Sequence, residues 1–123
     1  MANIIHVGTH EAVLLTRKVI LEKAGHNVTL ARDLRAVIAA CDSGSFDVGI
    51  IGQALPPKEK LRVSDTLQSR CTGIKILELH DAIAPDLETT DAHLRVAQTT
   101  PENLIDTVNR LSRIHRRKNK ASE

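Results

Sequence analysis

Short apolar runs alternate along this chain with longer segments in which apolar residues recur at helical spacing. The apolar runs predict buried β-strands at residues 4–7, 27–30, 46–51, 74–79 and 93–96. The run 46–51 is the most hydrophobic of them, so we expect it near the centre of a sheet. Because a helical segment separates each strand from the next, the strands are predicted to be parallel, with helices on both faces.

The segments between the strands contain residues that typically begin and end helices. Thr9, Asp33 and Thr100 are each suited to cap the helix that follows. Gly25 is suited to end the first helix, and the apolar residues of the second recur on one helical face. A weaker third helix is predicted over residues 58–69.

The segment 81–91 is a poor helix. Pro85 interrupts it, and the polar run 88–91 gives it no apolar face. We therefore predict five strands alternating with five helices, the fourth of which is shortened.

Composition limits the classes of protein to which the chain can belong. Its 123 residues are enough for one domain, and 41% apolar with 26% charged residues is typical of a globular protein that does not span a membrane. Phe46 is the only aromatic residue. The composition therefore argues against recognition of nucleic acid by base stacking, because one ring cannot form a stacking platform.

The net charge of +2 is unevenly distributed. Residues 113–123 contain five of the 17 basic residues and one acid, whereas residues 1–112 contain the remaining 12 basic and 14 acidic residues. We predict a domain at residues 1–115 followed by a basic, disordered tail at residues 116–123.

Two cysteines, Cys41 and Cys71, do not form the pattern of a disulfide-rich scaffold. Cys41 lies on the apolar stripe of the second helix, where we expect it to act as a small hydrophobic residue. A reducing cytoplasm is the simpler context for such a chain, and we expect a cytoplasmic protein.

Four segments are similar to motifs of one known family. Residues 3–10 are similar to its first strand and acidic corner, and residues 21–28 to the end of its first helix and its second strand. Residues 46–56 (FDVGIIGQALP) are similar to its phosphoacceptor strand and the loop after it, and residues 100–104 (TPENL) to the start of its last helix. Residues 2–115 thus resemble the receiver domain of two-component response regulators. The resemblance implies an α/β fold with a doubly wound five-stranded parallel sheet, in the (βα)5 flavodoxin-like topology and strand order 2-1-3-4-5.

The resemblance also implies where the functional residues of the family would stand, and each position is substituted here. The metal-binding acids fall on Gly8 and Thr9, and the aspartate that accepts phosphate falls on Gly52. The switch threonine or serine falls on Glu78, where the correspondence can shift by one position. The lysine that pairs with the phosphoryl group falls on Ala97.

These substitutions remove the reaction on chemical grounds. Glycine has no nucleophilic oxygen, and Gly8 with Thr9 offers Mg²⁺ at most one hydroxyl. Ala97 supplies no cation for the developing charge. Asp47 is no replacement, because it lies at the opening of the third strand, at the opposite end of the sheet. We predict no catalytic residue, metal or cofactor, and no enzymatic activity.

The resulting hypothesis is an atypical receiver domain that acts as a phosphorylation-independent protein-interaction module in signalling. Its expected partner is an unidentified signalling protein, with a homodimer as an option and no membrane or nucleic-acid partner. The shortened fourth helix changes a face that the family commonly uses for output and dimerisation. An aspartate restored at Gly52 is expected to fit at a cost within about 1 kcal/mol, because its carboxylate would be solvated.

Three alternatives remain open. The vacated strand-end pocket could hold a small polar ligand, with His10, Gln53, His80 and Gln98 as possible lining residues. The set His10, Glu78 and His80 could instead bind a transition metal, although a solvated polar crevice is the plainer interpretation. The basic tail could associate with nucleic acid, which the sequence does not favour because no DNA-binding motif accompanies it.

Overall fold

A five-stranded parallel sheet forms the centre of the computed structural model, which describes the backbone of residues 1–121 and the side chains of residues 1–114. The strand order is β2-β1-β3-β4-β5, with every neighbouring pair parallel. The strands are β1 (Asn3–Val7), β2 (Asn27–Ala31), β3 (Val48–Ile51), β4 (Lys75–His80) and β5 (Ala92–Arg95). The predicted fold class and strand order are confirmed.

Four α-helices pack on the sheet: α1 (Glu11–Lys23), α2 (Leu34–Ser43), α3 (Pro57–Arg70) and α4 (Pro101–Ala121). A short 3₁₀ helix at Val96–Gln98 connects β5 to α4. Two of the three predicted caps are confirmed, because Asp33 accepts a hydrogen bond from the Ala36 amide and Thr100 from the Asn103 amide. The third is wrong: α1 begins one residue later than expected, with His10 at the cap position.

Apolar side chains alternate between the two faces of the sheet. Ile5 of β1 packs in a cluster with Val37 of α2 and Leu67 of α3, whereas its neighbour Ile4 packs with Leu21 of α1 on the opposite face. This alternation follows from the two-residue period of a strand. Helices α2 and α3 therefore cover one face, and α1 and α4 cover the other.

The segment 81–91 contains no helix. It follows an irregular path of bends between β4 and β5, so the expected fourth helix is not shortened but missing. Asp91 joins the end of the segment to the sheet, because its amide donates to the Ile76 carbonyl and its carboxylate accepts from the Ile76 amide. Pro85 and the polar run before Asp91 are consistent with the loss of the helix.

Cys41 and Cys71 form a disulfide, with their Cα atoms 5.4 Å apart. Cys41 is buried, as its place on the apolar stripe of α2 predicted. The expectation that Cys41 acts only as a small hydrophobic residue is nevertheless wrong, because its sulfur is bonded to that of Cys71. Helices α2 and α3 pack side by side, so Cys41 near the end of α2 meets Cys71, the residue that follows α3.

The backbone of α4 continues to Ala121, past the expected domain end at residue 115. The side chains of the predicted basic tail, residues 116–123, and the backbone of residues 122 and 123 lie outside the described part of the chain. Disorder of that tail therefore stays a prediction. Among the described residues, no helix combines the length and the apolar character needed to cross a membrane.

Candidate functional site

The carboxyl ends of β1 and β3 bring together several of the residues singled out in the sequence. Gly8 and Thr9 follow β1, Gly52 and Gln53 follow β3, and His10 stands beside them; all five line one crevice. The other side chains around this crevice are Val13, Leu14, Arg17 and Ala54. None of these nine residues is an acid, so the crevice offers no carboxylate to a metal ion or a phosphoryl donor.

The crevice is small. Its volume is about 10 Å³, which is room for about one water molecule. The Gly52 amide donates to the Val7 carbonyl across 2.8 Å, which holds the end of β3 against the end of β1. A Cβ atom at Gly52 would lie 3.0 Å from that carbonyl oxygen, and one at Gly8 would lie 2.9 Å from a Leu14 methyl group. The end of β1 thus occupies the space that a side chain at Gly52 would need, whereas at Gly8 the near atom belongs to the flexible Leu14 side chain of α1.

Arg17 closes the inner side of the crevice. Its guanidinium donates to the Gln53 side-chain oxygen across 2.8 Å and to His6 Nε2 across 3.2 Å. The Nδ1 atom of His6 lies 3.2 Å from the Ile50 carbonyl. Because a carbonyl only accepts, the His6 proton must be on Nδ1, which leaves Nε2 free to accept from Arg17.

His6 is therefore neutral in the folded protein. Burial of the ring, the nearby charge of Arg17 and an opposing hydrogen bond to Ile50 together lower its pKa to about 4. A neutral histidine can satisfy Arg17 as an acceptor but cannot balance its charge. No carboxylate of the described residues forms an ion pair with Arg17.

Four of the residues predicted for this site are not among those that line the crevice. Ala97 and Gln98 lie in the 3₁₀ helix after β5. His80, the last residue of β4, is buried and donates from Nδ1 to the Ala82 carbonyl. Glu78 stands two residues before the end of β4, where its side chain has no exposed surface. The strand-end position of β4 is thus held by His80 and not by Glu78.

Glu78 instead anchors the segment that replaces the missing helix. Its Oε2 accepts from Lys60 Nζ across 2.8 Å and from the Asp86 amide across 2.9 Å. Its Oε1 accepts from the Leu87 amide and from His93 Nδ1, each across 3.1 Å. One buried carboxylate thereby ties α3, β5 and the segment 81–91 to the same point on β4.

The ammonium group of Lys60 is equally well satisfied. Besides Glu78, it donates to the Leu79 carbonyl across 2.9 Å and lies 2.9 Å from a carboxylate oxygen of Asp86. Burial alone would raise the pKa of Glu78. The hydrogen bonds from Lys60, Asp86 and Leu87, together with the Lys60 charge, outweigh that effect and lower it. The carboxylate is therefore ionised, and the cluster is structural.

The hypothetical metal set of His10, Glu78 and His80 is not assembled. The hydrogen bonds of Glu78 join it to Lys60 and His93, and His80 is bonded to the backbone, whereas His10 belongs to the crevice. Within the described residues, no group of three or more histidine, cysteine or acidic side chains is arranged to hold a metal ion. Asp47 lies at the opposite edge of the sheet, as predicted, where its carboxylate accepts from the Asn3 amide.

Comparison with known proteins identifies the fold of the chain but not its biochemical activity. No protein-family model matches the chain, and neither does any curated protein sequence. Solved structures of receiver domains match it over nearly their whole length. A CheY-like response regulator receiver domain protein of Methanospirillum hungatei has a TM-score of 0.80 at 20% identity, over 96% of this chain and 98% of that one.

Two further structures give the same result. The chemotaxis protein CheY4 of Vibrio cholerae has a TM-score of 0.76 at 24% identity, over 90% of this chain and 98% of that one. The receiver domain of a sensor histidine kinase of Pseudomonas aeruginosa, which has a magnesium ion coordinated in its active-site cleft, has a TM-score of 0.74 at 16% identity, over 90% and 97% of the two chains. The chain therefore has the fold of a response-regulator receiver domain.

Proposed function

We propose that this protein is an atypical receiver domain of two-component signalling that does not accept a phosphoryl group and acts through protein–protein interaction. The observation that supports this most directly is the strand-end crevice. Gly52 stands at the end of β3 with no side chain, and no acid lines the space around it. A receiver domain needs a carboxylate nucleophile and carboxylate ligands for Mg²⁺ at this edge.

The small volume of the crevice supports the same proposal. It encloses about 10 Å³, so it holds no preformed space for a phosphoryl group beside Gly52. It also argues against a small-ligand sensor that uses this crevice, because a ligand larger than water would find no preformed volume there.

Phosphorylation in this fold biases an equilibrium between two states, so a domain that lacks it remains in one state until a partner shifts the balance. We propose that the partner is a signalling protein and that the surface of the segment 81–91 takes part in the contact. Ile83 in that segment is 83% exposed, the highest value for a large apolar residue in the described chain. A homodimer through the same surface is the alternative. We further propose that the protein acts without a membrane or nucleic-acid partner. The Cys41–Cys71 disulfide removes the ground on which a cytoplasmic location was expected.

The test of the phosphorylation claim is direct. The protein is incubated with acetyl phosphate and Mg²⁺ and its intact mass is measured, with a receiver domain that retains the aspartate as the positive control. Beryllofluoride with Mg²⁺ is titrated in parallel while amide NMR spectra are recorded. We expect no added phosphoryl group and no saturable shift at residues 8, 9, 52 and 53. A phosphorylated product would overturn the proposal.

The interaction claim is tested by chemical cross-linking in native extract and by sedimentation of the purified protein. Ile83→Ser removes the exposed apolar side chain of the segment, and Val19→Ser is the matched control, because Val19 is 50% exposed on α1. We expect the cross-linked product or the dimer to be lost in Ile83→Ser only. Equal loss in both variants, or in neither, would place the contact elsewhere.

A further inference from the structure

An apolar cavity of about 340 Å³ lies between α1 and the start of α4, on the face of the sheet away from the Lys60–Glu78 pair. Helix α1 contributes Val13, Thr16 and Ile20 to its wall. The opposite wall contains Val96 and Leu104. A cavity of this size is within the range of small-molecule sites, which are mostly apolar with a few polar groups.

The charged residue in the lining of this cavity is Arg17, which is accompanied by the hydroxyl groups of Thr16, Thr99 and Thr100. Its side chain lines the cavity from α1, where it is partly buried. The hydrogen bonds to His6 and Gln53 use two of the five N–H donors of the guanidinium, so three remain. Both acceptors are neutral. Asp81 is the acidic group whose charge favours the cation at a distance, and it lies beyond ion-pair contact.

A partly buried cation without a contacting anion is unusual, because burial removes hydration that an ion pair would otherwise replace. Desolvation accordingly lowers the pKa of Arg17 from its usual value, against the opposing charge of Asp81. Arginine nevertheless remains protonated in proteins. The lining of the cavity therefore combines a cation that contacts no carboxylate with mostly apolar walls.

We propose that this cavity binds a small organic monocarboxylate, with the carboxylate on the guanidinium of Arg17 and an apolar body against Val13, Ile20 and Leu104. A single cation matches a single negative charge, whereas a phosphate ester would add a second. A neutral apolar molecule would contact the apolar walls but would leave Arg17 without a contacting anion. A protonated amine would be repelled by the Arg17 guanidinium. The proposal does not depend on the chemistry of the strand-end crevice.

Binding of the carboxylate would also affect the strand-end crevice, because Arg17 lines both spaces. Because the same guanidinium holds Gln53 and His6, its movement toward a ligand would change the environment of both. The Gln53 side-chain amide is therefore a reporter that lies outside the cavity lining. It distinguishes engagement of Arg17 from apolar contact with the walls alone.

The experiment is a titration of the whole protein with octanoate, followed by amide NMR, with octan-1-ol as the neutral ligand of matched length. We expect saturable shifts at residues 13, 16 and 96 and at the Gln53 side-chain amide. The dissociation constant for octan-1-ol is expected to be at least about tenfold higher, as expected for loss of a charge-assisted hydrogen bond.

Three variants separate the effect of filling the cavity from the effect of losing the Arg17 charge. Thr16→Phe fills the cavity and leaves Arg17 in place, whereas Leu15→Phe adds the same ring at a position outside the lining that is 46% exposed. We expect octanoate binding to be lost in the first and kept in the second. Arg17→Met should bind octanoate no better than octan-1-ol; should that variant fail to fold, the Thr16 pair decides.

Three results would overturn the proposal. The first is no saturable shift with up to about 10 mM octanoate, a concentration that would detect even millimolar affinity. The second is equal affinity for octanoate and octan-1-ol in the unmodified protein. The third is unchanged octanoate binding in Thr16→Phe, which would place the site elsewhere.

Discussion

The ammonium nitrogen of Lys60 lies 2.8 Å from a carboxylate oxygen of Glu78, and neither side chain has any exposed surface. Buried ion pairs are tolerated when every donor and acceptor is satisfied, and this pair meets that condition through Leu79, Asp86 and Leu87. The pair replaces the missing helix as the device that fixes the segment 81–91.

Removing one member of this pair should be strongly destabilising. We expect Lys60→Met to lower the free energy of unfolding by about 3–5 kcal/mol, because Glu78 would be left charged and buried without its cation. Urea denaturation gives the value. Lys58→Met is the control, because Lys58 is exposed on the same helix and its loss should cost under about 0.5 kcal/mol.

A double variant tests whether the two residues act together. Lys60→Met combined with Glu78→Gln removes both charges, so its cost should be well below the sum of the two single costs. Strict additivity of the two single changes would contradict the described ion pair.

The buried His6 makes stability depend on pH. Its pKa is about 4 in the folded protein and near 6.5 when unfolded, so between these values the unfolded chain binds more protons. The free energy of unfolding should therefore be highest above pH 6.5 and fall by up to about 3 kcal/mol as the pH decreases to 4. The pKa of Glu78 is lowered in the folded protein, so the free energy of unfolding should decrease further as the pH falls below 4.5, the usual pKa of a glutamate.

Urea denaturation from pH 7.5 to pH 4 measures this dependence. His6→Gln can still donate to Ile50 and accept from Arg17, but it does not titrate, so its decline should be much smaller. His10→Gln changes an exposed histidine and serves as the control. The same decline in His6→Gln as in the unmodified protein would show that another group is responsible.

The Cys41–Cys71 disulfide should stabilise the oxidised protein. It closes a loop with a sequence separation of 30, for which restriction of the unfolded chain predicts about 3–4 kcal/mol. Melting temperatures with and without a reductant measure the difference. The double variant Cys41→Ala with Cys71→Ala should melt at one temperature in both conditions, and the same indifference in the unmodified protein would argue that no disulfide forms.

A side chain at Gly52 should be more costly than the sequence suggested. Its backbone does not have a positive φ, but an added Cβ would lie 3.0 Å from the Val7 carbonyl oxygen. We expect Gly52→Ala to lose about 1–3 kcal/mol, and Gly52→Asp at least as much, because backbone has to move. In Gly44→Ala the nearest backbone atom is 3.8 Å away, so that control should be nearly neutral by urea denaturation.

Gly52→Asp should also remain unphosphorylated by acetyl phosphate, since Gly8 and Thr9 still provide no carboxylate for Mg²⁺. Intact mass measures the outcome. A phosphorylated variant would reveal a metal site that the crevice does not display.

The hydrophobic pattern of the sequence was sufficient to predict the sheet. Short apolar runs indicate strands buried on both faces, and amphipathic segments indicate helices. Because the predicted strands are parallel, their carboxyl ends lie at the same edge of the sheet. Gly8 and Gly52 could therefore be placed at one edge. The disulfide could not be predicted, since Cys41 in α2 and Cys71 just after α3 have no spacing that indicates a bond. The sequence also could not show that Arg17 lines the crevice and bonds to His6 and Gln53 there.

The position of Glu78 in the sequence indicates a buried partner. Glu78 is a charged residue inside a predicted strand that is buried on both faces, and such a charge requires a buried partner. The same reasoning applies to His6 in the first strand. Neither partner is evident from the sequence, because Lys60 belongs to a weak polar helix and Arg17 to a helix with an apolar face.

The close contact between Gly52 and the end of β1 also bears on how such a domain could change in evolution. The Cβ atom of an acid introduced at position 52 would lie 3.0 Å from the Val7 carbonyl oxygen before any other part of a phosphorylation site is present. Such a step toward a phosphoacceptor should therefore lower stability without an immediate gain in activity. Selection would act against that intermediate, so the backbone contact favours retention of glycine at this strand end.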